Sequence, residues 1–330
     1  MPEDAGRMTS AVGLIVNPAA GRDIRRLVAD APLMSHREKA SLCLRALEGI
    51  GAMGVTTVWA LDDGAGIIDA ALDRVRVGLT VERLPVELEG TAEDTIKAAE
   101  LLEGMGVTVV VTLGGDGTNR AVAAGCSDVA LVALSTGTNN VFPSLVDGTV
   151  AGMAAGLVAT GAIEAAGVVR RAKRVEVTTT GAQDFALVDA AVVRDRFVGS
   201  RAVWDPCKVG AIVLARAEPW AIGLSSIGAR VHPVGPHDLA GLYLEIGEGE
   251  RVLAPIAPGR VAEVDVATWR LLELDEPVEL EGSDGIVALD GERELALDGA
   301  ADARVTRRGP LVVDIRAALQ AASIKESLDA

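Results

Sequence analysis

The sequence predicts an α/β chain in which an N-terminal doubly wound parallel α/β domain precedes a β-rich domain. Three observations carry that prediction. Through about residue 148, short aliphatic and β-branched runs end in small polar residues and alternate with helically spaced segments, the pattern of βαβ units. After Gly148 the alternation gives way to successive strands separated by turn residues. The chain has 330 residues, 49% of them hydrophobic, enough for two cores. The expected division is 1–148 for the α/β domain, 149–310 for the β-rich domain, and 311–330 for a segment that packs back on the first.

The elements follow in order. Ala11–Val16 reads as a buried strand that ends in Asn17-Pro18-Ala19-Ala20-Gly21. Ser35–Gly49 reads as a helix, with Ser35 as N-cap and Glu38 completing a capping box. Strands are expected at Thr56–Leu61 and Leu79–Leu84, with a helix at Ile67–Val75 between them. Thr91 caps a helix to Met105, with Asp94 in its first turn and Ile96, Ala99 and Leu102 along one face. Gly106 stops it, and the strand Val107–Leu113 leads directly into Gly114-Gly115-Asp116-Gly117-Thr118. A helix from Arg120 to Gly125 and a strand at Val129–Leu134 complete the pattern, followed by Ser135-Thr136-Gly137-Thr138-Asn139-Asn140. Gly148–Ile163 reads as a small-residue helix. Beyond it, strands are expected at Arg174–Thr180, Asp184–Val193, Val209–Ala215, Leu242–Ile246, Pro277–Leu280, Gly285–Leu289 and Glu294–Leu297, and the tail Leu311–Leu328 reads as a strand and a helix.

Composition excludes several function classes. Aromatics make up 2% of the chain and the net charge is −16, which disfavours both a base-stacking platform and an anionic bilayer or phosphate backbone as partner. Cys43, Cys126 and Cys207 are scattered, and His36, His232 and His237 lack metal-finger spacing, so the cysteines read as unpaired thiols of a reducing cytoplasm. Met1–Ser10 does not read as a signal peptide, and no run of about 18 uncharged apolar residues reads as a membrane span. A cytoplasmic protein without nucleic-acid or membrane partners is expected.

Three loops carry the chemistry. Gly114–Thr118 sits between a buried strand and a helix, where ligands of such sheets bind and where glycines let backbone N–H groups approach a phosphate. A carboxylate repels phosphate, so Asp116 makes sense as an anchor for Mg²⁺ or as the base for an attacking hydroxyl. No Lys lies in the loop and no GxxxxGK[ST] exists, leaving metal, backbone and Arg120 to neutralise phosphates. The segment Thr136, Gly137, Thr138, Asn139, Asn140 offers hydrogen bonds to phosphate, ribose or nicotinamide, and Asn17 ends the first strand on the same sheet edge. Arg194, Arg196 and Arg201 read as exposed loop residues, Trp204 and Trp220 as packing, and His232 and His237 as loop residues.

Together, Asn17-Pro18, Gly114-Gly115-Asp116-Gly117-Thr118 and Gly137-Thr138-Asn139 resemble the superfamily uniting NAD kinases, diacylglycerol and sphingoid lipid kinases, and 6-phosphofructokinases. Leu289-Asp290-Gly291-Glu292 resembles the Asp-Gly-Glu turn of the lipid kinases. Within that superfamily the chain is most similar to the ATP-NAD kinase-like group that includes acetoin catabolism protein X, on the stretches Arg26–Ser35, the glycine loop and Ala191–Gly199. The resemblance implies an NAD kinase-like fold with the site between its domains, ATP or another phosphoryl donor such as polyphosphate, and a homo-oligomer. It implies Asp116, Asp290 and Glu292 as the acids of the site. Asn17, Gly114, Gly115, Gly117, Thr118, Asn119, Thr136, Gly137, Thr138 and Asn139 would hold the nucleotide, with Asn140 and Asp189 toward the acceptor. Where NAD kinases carry an Asn-Glu pair, this chain reads Leu187-Val188-Asp189-Ala190, and where lipid kinases carry an Asp after Asn140 it has Val141.

The expected function is ATP-dependent phosphorylation of a hydroxyl on a small soluble acceptor, NAD first and NADP its product. A lipid kinase of diacylglycerol or sphingoid type, and a non-catalytic nucleotide-binding accessory protein of acetoin catabolism, stand as alternatives.

Overall fold

The computed structural model describes residues 10–21, 34–137, 139–194 and 205–328. Thr138, Asp195, Arg196, Arg201 and Trp204 lie outside them, as do residues 26–33 and 195–199 of the two stretches named above. Its first sheet has seven strands in the order β3-β2-β1-β4-β5-β15-β6. Of these, β1 (Ala11–Val16), β2 (Thr57–Ala60), β3 (Thr80–Arg83), β4 (Val109–Gly114) and β5 (Ala130–Ser135) are parallel. β15 (Leu311–Val313) runs parallel beside β5, and β6 (Val169–Arg171) closes the edge antiparallel.

Strand alternation sends side chains to two helical layers. Val12, Leu14, Val109 and Val111 pack with α1 (His36–Ala52), α2 (Ile67–Leu72), α5 (Gly148–Ala159) and α7 (Ile315–Leu328). Ile15 and Val110 face α3 (Ala92–Gly104) and α4 (Asp116–Gly125). Helices on both faces of a parallel sheet make the doubly wound arrangement. The capping boxes at Ser35–Glu38 and Thr91–Asp94 are both formed.

Two local expectations change. The helix expected at Arg120 begins at Asp116, because β4 runs to Gly114 and extended Gly115 is the N-cap itself. Helix α5, grouped by sequence with the β-rich region, packs on α1 against the first sheet. Its small residues permit the approach: a Cβ on Gly152 would lie 2.1 Å from the Ala46 carbonyl oxygen, and one on Gly148 2.5 Å from that of Leu42.

The second sheet has eight strands in the order β12-β11-β10-β9-β13-β14-β7-β8. They are β7 (Arg174–Thr178), β8 (Gln183–Ala186), β9 (Asp189–Val193), β10 (Val209–Leu214), β11 (Ala240–Ala257), β12 (Arg260–Glu273), β13 (Pro277–Leu289) and β14 (Glu292–Thr306). Each face carries its own apolar cluster, one of them covered by α6 (Leu224–Val231). The sequence missed β12 because that strand is charged and largely exposed, and missed α6 because Ser and Gly dilute its signal. Trp220, expected as a packing residue, is 78% exposed, and His232 ends α6 and stacks on Trp269 at 5.5 Å.

The single strand expected at Asp184–Val193 splits at Leu187-Val188. Those two residues leave the second sheet and bury their side chains with Phe142 and Val122 of the first unit.

Candidate functional site

The parallel order reverses between β1 and β4, which opens a crevice at the carboxyl ends of the strands. A cavity of about 890 Å³ fills it. Its walls come from the loops after β1, β2 and β3, the start of α4, the loop after β5, and the β13–β14 turn of the second sheet. Of the residues named from sequence, Asn17, Gly115, Asp116, Gly117, Thr118, Gly137, Asn139, Asn140, Asp290 and Glu292 line it. Gly114, Asn119, Thr136 and Asp189 do not.

The glycine loop is braced from behind. The Asn17 side-chain amide donates to Thr118 Oγ1 at 2.8 Å, while its Oδ1 accepts the Ala19 and Ala20 N–H groups. Asn17 therefore latches two loops together. Asn119 is fully buried, accepts from the Thr112 hydroxyl at 2.7 Å, and donates to the Gly115 carbonyl at 2.8 Å. It supports the loop and does not face a ligand. A Cβ on Gly114 would lie 2.5 Å from Thr118, and one on Gly115 2.8 Å from Asn140 Oδ1. Gly117 differs, because a Cβ there would meet nothing within 4 Å and its backbone lies outside the left-handed region. Neither the space around residue 117 nor its backbone conformation gives a reason for a glycine there.

Asp116 is the first residue of α4, where a helix dipole favours a carboxylate. The Val141 N–H reaches both its oxygens at 3.1 Å, and the Phe142 N–H donates to Oδ1 at 2.8 Å. The loop after β5 is thereby tied to the glycine loop. Asn140 donates to Ser135 Oγ at 2.9 Å. Thr136 Oγ1 and Asn139 Oδ1 are buried and have no hydrogen-bond partner among the described residues, which leaves two polar atoms at this loop unspent.

From the second sheet, Asp290-Gly291 forms a two-residue hairpin turn between the paired Leu289 and Glu292, with φ of 52° and 76°. The Asp290 carboxylate accepts the Leu187 N–H at 3.1 Å and the Val188 N–H at 2.8 Å, satisfying the amides freed where β8 breaks from β9. Burial pushes its carboxyl above the usual range, opposed by Arg120 and those amides. Arg120 Nε lies 4.0 Å from Asp290, and its guanidinium also reaches Asp184 at 3.6 Å and the Phe185 carbonyl at 3.4 Å. Asp189 sits in β9, its carbonyl accepting from the Asp290 N–H at 2.9 Å.

Sequence reading missed two cations. Lys39 is fully buried, and its Nζ contacts the carbonyls of Asn17, Pro18 and Ala20 at 2.8–3.1 Å. Arg216 follows β10 and crosses to the first unit, its guanidinium 4.9 Å above the Phe142 ring and 3.4 Å from the Val141 carbonyl. The helical register of Lys39, which aligns it with Cys43, Ala46 and Leu47 on the buried face of α1, was the one available signal; nothing marked Arg216. Burial raises the Glu218 carboxyl and brings Lys173 down to about 7.

Residues 12–162 match the ATP-NAD kinase N-terminal domain, and residues 173–309 the acetoin catabolism protein X C-terminal domain. Over 318 residues the chain is 38% identical to acetoin catabolism protein X of Cupriavidus necator, covering 92% of this chain and 89% of that one. Among solved structures it is similar to a candidate diacylglycerol kinase from Bacillus anthracis str. Sterne, at 13% identity and TM-score 0.48 over 92% of this chain and 98% of that one. It is similar as well to an NAD kinase from Archaeoglobus fulgidus in complex with ATP, at 17% identity and TM-score 0.44 over 80% and 96%.

Proposed function

Because this chain belongs to the acetoin catabolism protein X family and carries an ATP-NAD kinase N-terminal domain, we propose that it binds a nucleoside triphosphate in the crevice and transfers the terminal phosphoryl group to a hydroxyl of a small soluble acceptor. NAD is the first candidate. The observation that carries this reading is Gly117, a glycine that neither space nor backbone conformation requires, on the cavity wall beside Asp116.

In the proposed reaction the acceptor oxygen bonds to the terminal phosphorus as the bridging P–O bond breaks and the nucleoside diphosphate leaves. Asp116 faces the cavity as the acid that takes the hydroxyl proton or anchors Mg²⁺. Mg²⁺ needs only one or two carboxylates besides phosphate oxygens, and Asp116 on the cavity wall would supply one. Bound with the nucleotide, Mg²⁺ would neutralise charge developing on the phosphates. The Gly117 backbone would face the phosphates, and the unspent Asn139 Oδ1, an acceptor, would suit a ribose hydroxyl.

The test is Mg²⁺-dependent release of ADP from ATP in the presence of candidate acceptors, NAD among them. Asp116→Asn should lower it by at least about 100-fold; full turnover in that variant would overturn the role of Asp116. A second reading, a nucleotide-binding accessory protein without turnover, draws support from Asp116 and Asp290, whose oxygens already accept backbone amides. Binding by calorimetry, with no turnover across a panel of acceptors, would favour it. No helix among the described residues is long and apolar enough to cross a membrane.

A further inference from the structure

One peptide group lies between the two units of the molecule. The carbonyl of Val141 and the N–H of Phe142 are its two ends, fixed in one plane. The Phe142 N–H donates to Asp116 Oδ1 at 2.8 Å. An N–H of the Arg216 guanidinium reaches the Val141 carbonyl at 3.4 Å. Asp116 begins α4 of the first unit, and Arg216 follows β10 of the second. The negative end of the peptide thus faces a cation and its positive end an anion, the arrangement in which each contact polarises and strengthens the other. The guanidinium also lies over the Phe142 ring at 4.9 Å, so it holds the segment twice.

Arg216 reaches out from a stiff base. The Ala215 N–H donates to the Val188 carbonyl at 2.8 Å, and Ala217 and Val234 exchange both of their backbone hydrogen bonds. The Arg216 carbonyl itself accepts from the buried Ser225 hydroxyl at 2.9 Å. Arg216 is 8% exposed and does not line the cavity. Burial presses its guanidinium toward the neutral form, and Glu218, Asp116 and Asp290 oppose that. Two of the three carboxylates that sustain the charge are therefore acids of the candidate site. A guanidinium that only joined the units could meet any carbonyl at their border; this one meets the carbonyl whose own peptide carries an Asp116 amide. We infer that Arg216 is a positioning residue for Asp116: from the second unit it fixes, through the Val141–Phe142 peptide, where the Asp116 carboxylate points. The aim of that carboxylate then depends on the seating of the second unit against the first. The inference rests on the role given to Asp116 above and adds what sets it.

The experiment is amide hydrogen exchange of the full chain, read at Phe142 by NMR. Arg216→Met keeps an unbranched side chain and removes the donor and the charge. It should speed exchange at Phe142 by about fivefold to tenfold and leave Ser144, whose N–H pairs with the Ala133 carbonyl, within about twofold. Asp116→Ala frees the same Phe142 N–H, so adding Arg216→Met to it should change that exchange by no more than about twofold. Arg216→Lys, which keeps the charge, should lie nearer the unsubstituted chain. Turnover gives the second readout. Arg216→Met should lower ADP release from ATP with NAD present by about tenfold, hold the KM for ATP within about twofold, and cost nothing further in an Asp116→Asn background. Equal acceleration at Phe142 and Ser144, or losses that multiply in the double variants, would mark Arg216 as a structural bolt and overturn the inference. An unsubstituted chain that releases no ADP across the panel of acceptors would overturn the transfer reading instead, and exchange at Phe142 then decides alone. If Arg216→Met does not fold, Arg216→Gln replaces it, and exchange at Phe142 no faster than in the unsubstituted chain would refute the assignment.

Discussion

Asp116 and Asp290, carried by loops from the two sheets that wall the crevice, use the same chemistry for different ends. Each accepts two backbone N–H groups from a neighbouring segment: Val141 and Phe142 in one case, Leu187 and Val188 in the other. Asp116 ties together two loops of one sheet, at the start of a helix and half-buried on the cavity wall. Asp290 is buried, left-handed at its backbone, and faced by Arg120 from the other unit. Its amides belong to the very residues that enter the core of the first unit. One carboxylate shapes a loop that can still answer a ligand, and the other fastens two sheets. The difference teaches that an acid at a site's edge has to be read with its partners, since motif position alone grouped both among the acids of the site.

That contrast can be broken at its strongest point first. Asp290→Ala leaves two buried amides unsatisfied and should lower stability by about 2–5 kcal/mol in denaturant titration. Asp116→Ala, whose loops are partly open to water, should cost less than half as much. Equal losses would erase the distinction. Next, Gly117→Ala has room for its methyl and an ordinary backbone, so its melting temperature should stay unchanged while ATP affinity falls about tenfold. Unchanged affinity would remove the glycine from the site. Asn17→Ala cuts the latch to Thr118 and should cost about 1 kcal/mol, read in the same titration.

The smallest effect concerns charge buried on the second-sheet side. Lys173 donates to the Ala240 carbonyl at 2.7 Å, and burial, with help from Arg216, lowers it to about 7. The unfolded chain keeps its proton up to the ordinary lysine range, so between these values the unfolded state binds more protons and stability rises with pH. The penalty is full below pH 7 and gone above the ordinary lysine pKa. From pH 7 to 8 the gain from this group is about 1 kcal/mol, and Lys173→Met should flatten that slope.

The centre of the first sheet was legible because β1, β4 and β5 are buried on both faces and read as plain apolar runs ended by a loop; Val109–Gly114 and Ala130–Ser135 are buried throughout. The second sheet was harder. β12 is exposed along most of its length, and no burial imprints a period on its sequence. Within the site, Asp116 and Gly117 announced themselves through loop chemistry. Asn17, Thr118 and Asn119 were visible as polar residues, though their bracing of one another was not, because hydrogen bonds across 101 positions leave no local pattern. Lys39 and Arg216 were hidden for a related reason: each is named by what it meets in three dimensions.

The seat of β15 beside β5 has a consequence for biosynthesis. Leu311 pairs with Ala130, and only the chain after the whole second sheet can fill that place. On a ribosome the first unit emerges early and waits with the outer side of β5 unpaired, while β6 gains its partner only when β15 arrives. The order of synthesis is thus opposite to the order of completion: the second sheet can close before the first is finished. A stop codon shortly before Leu311 would leave the glycine loop intact in sequence on a sheet that still has an open edge.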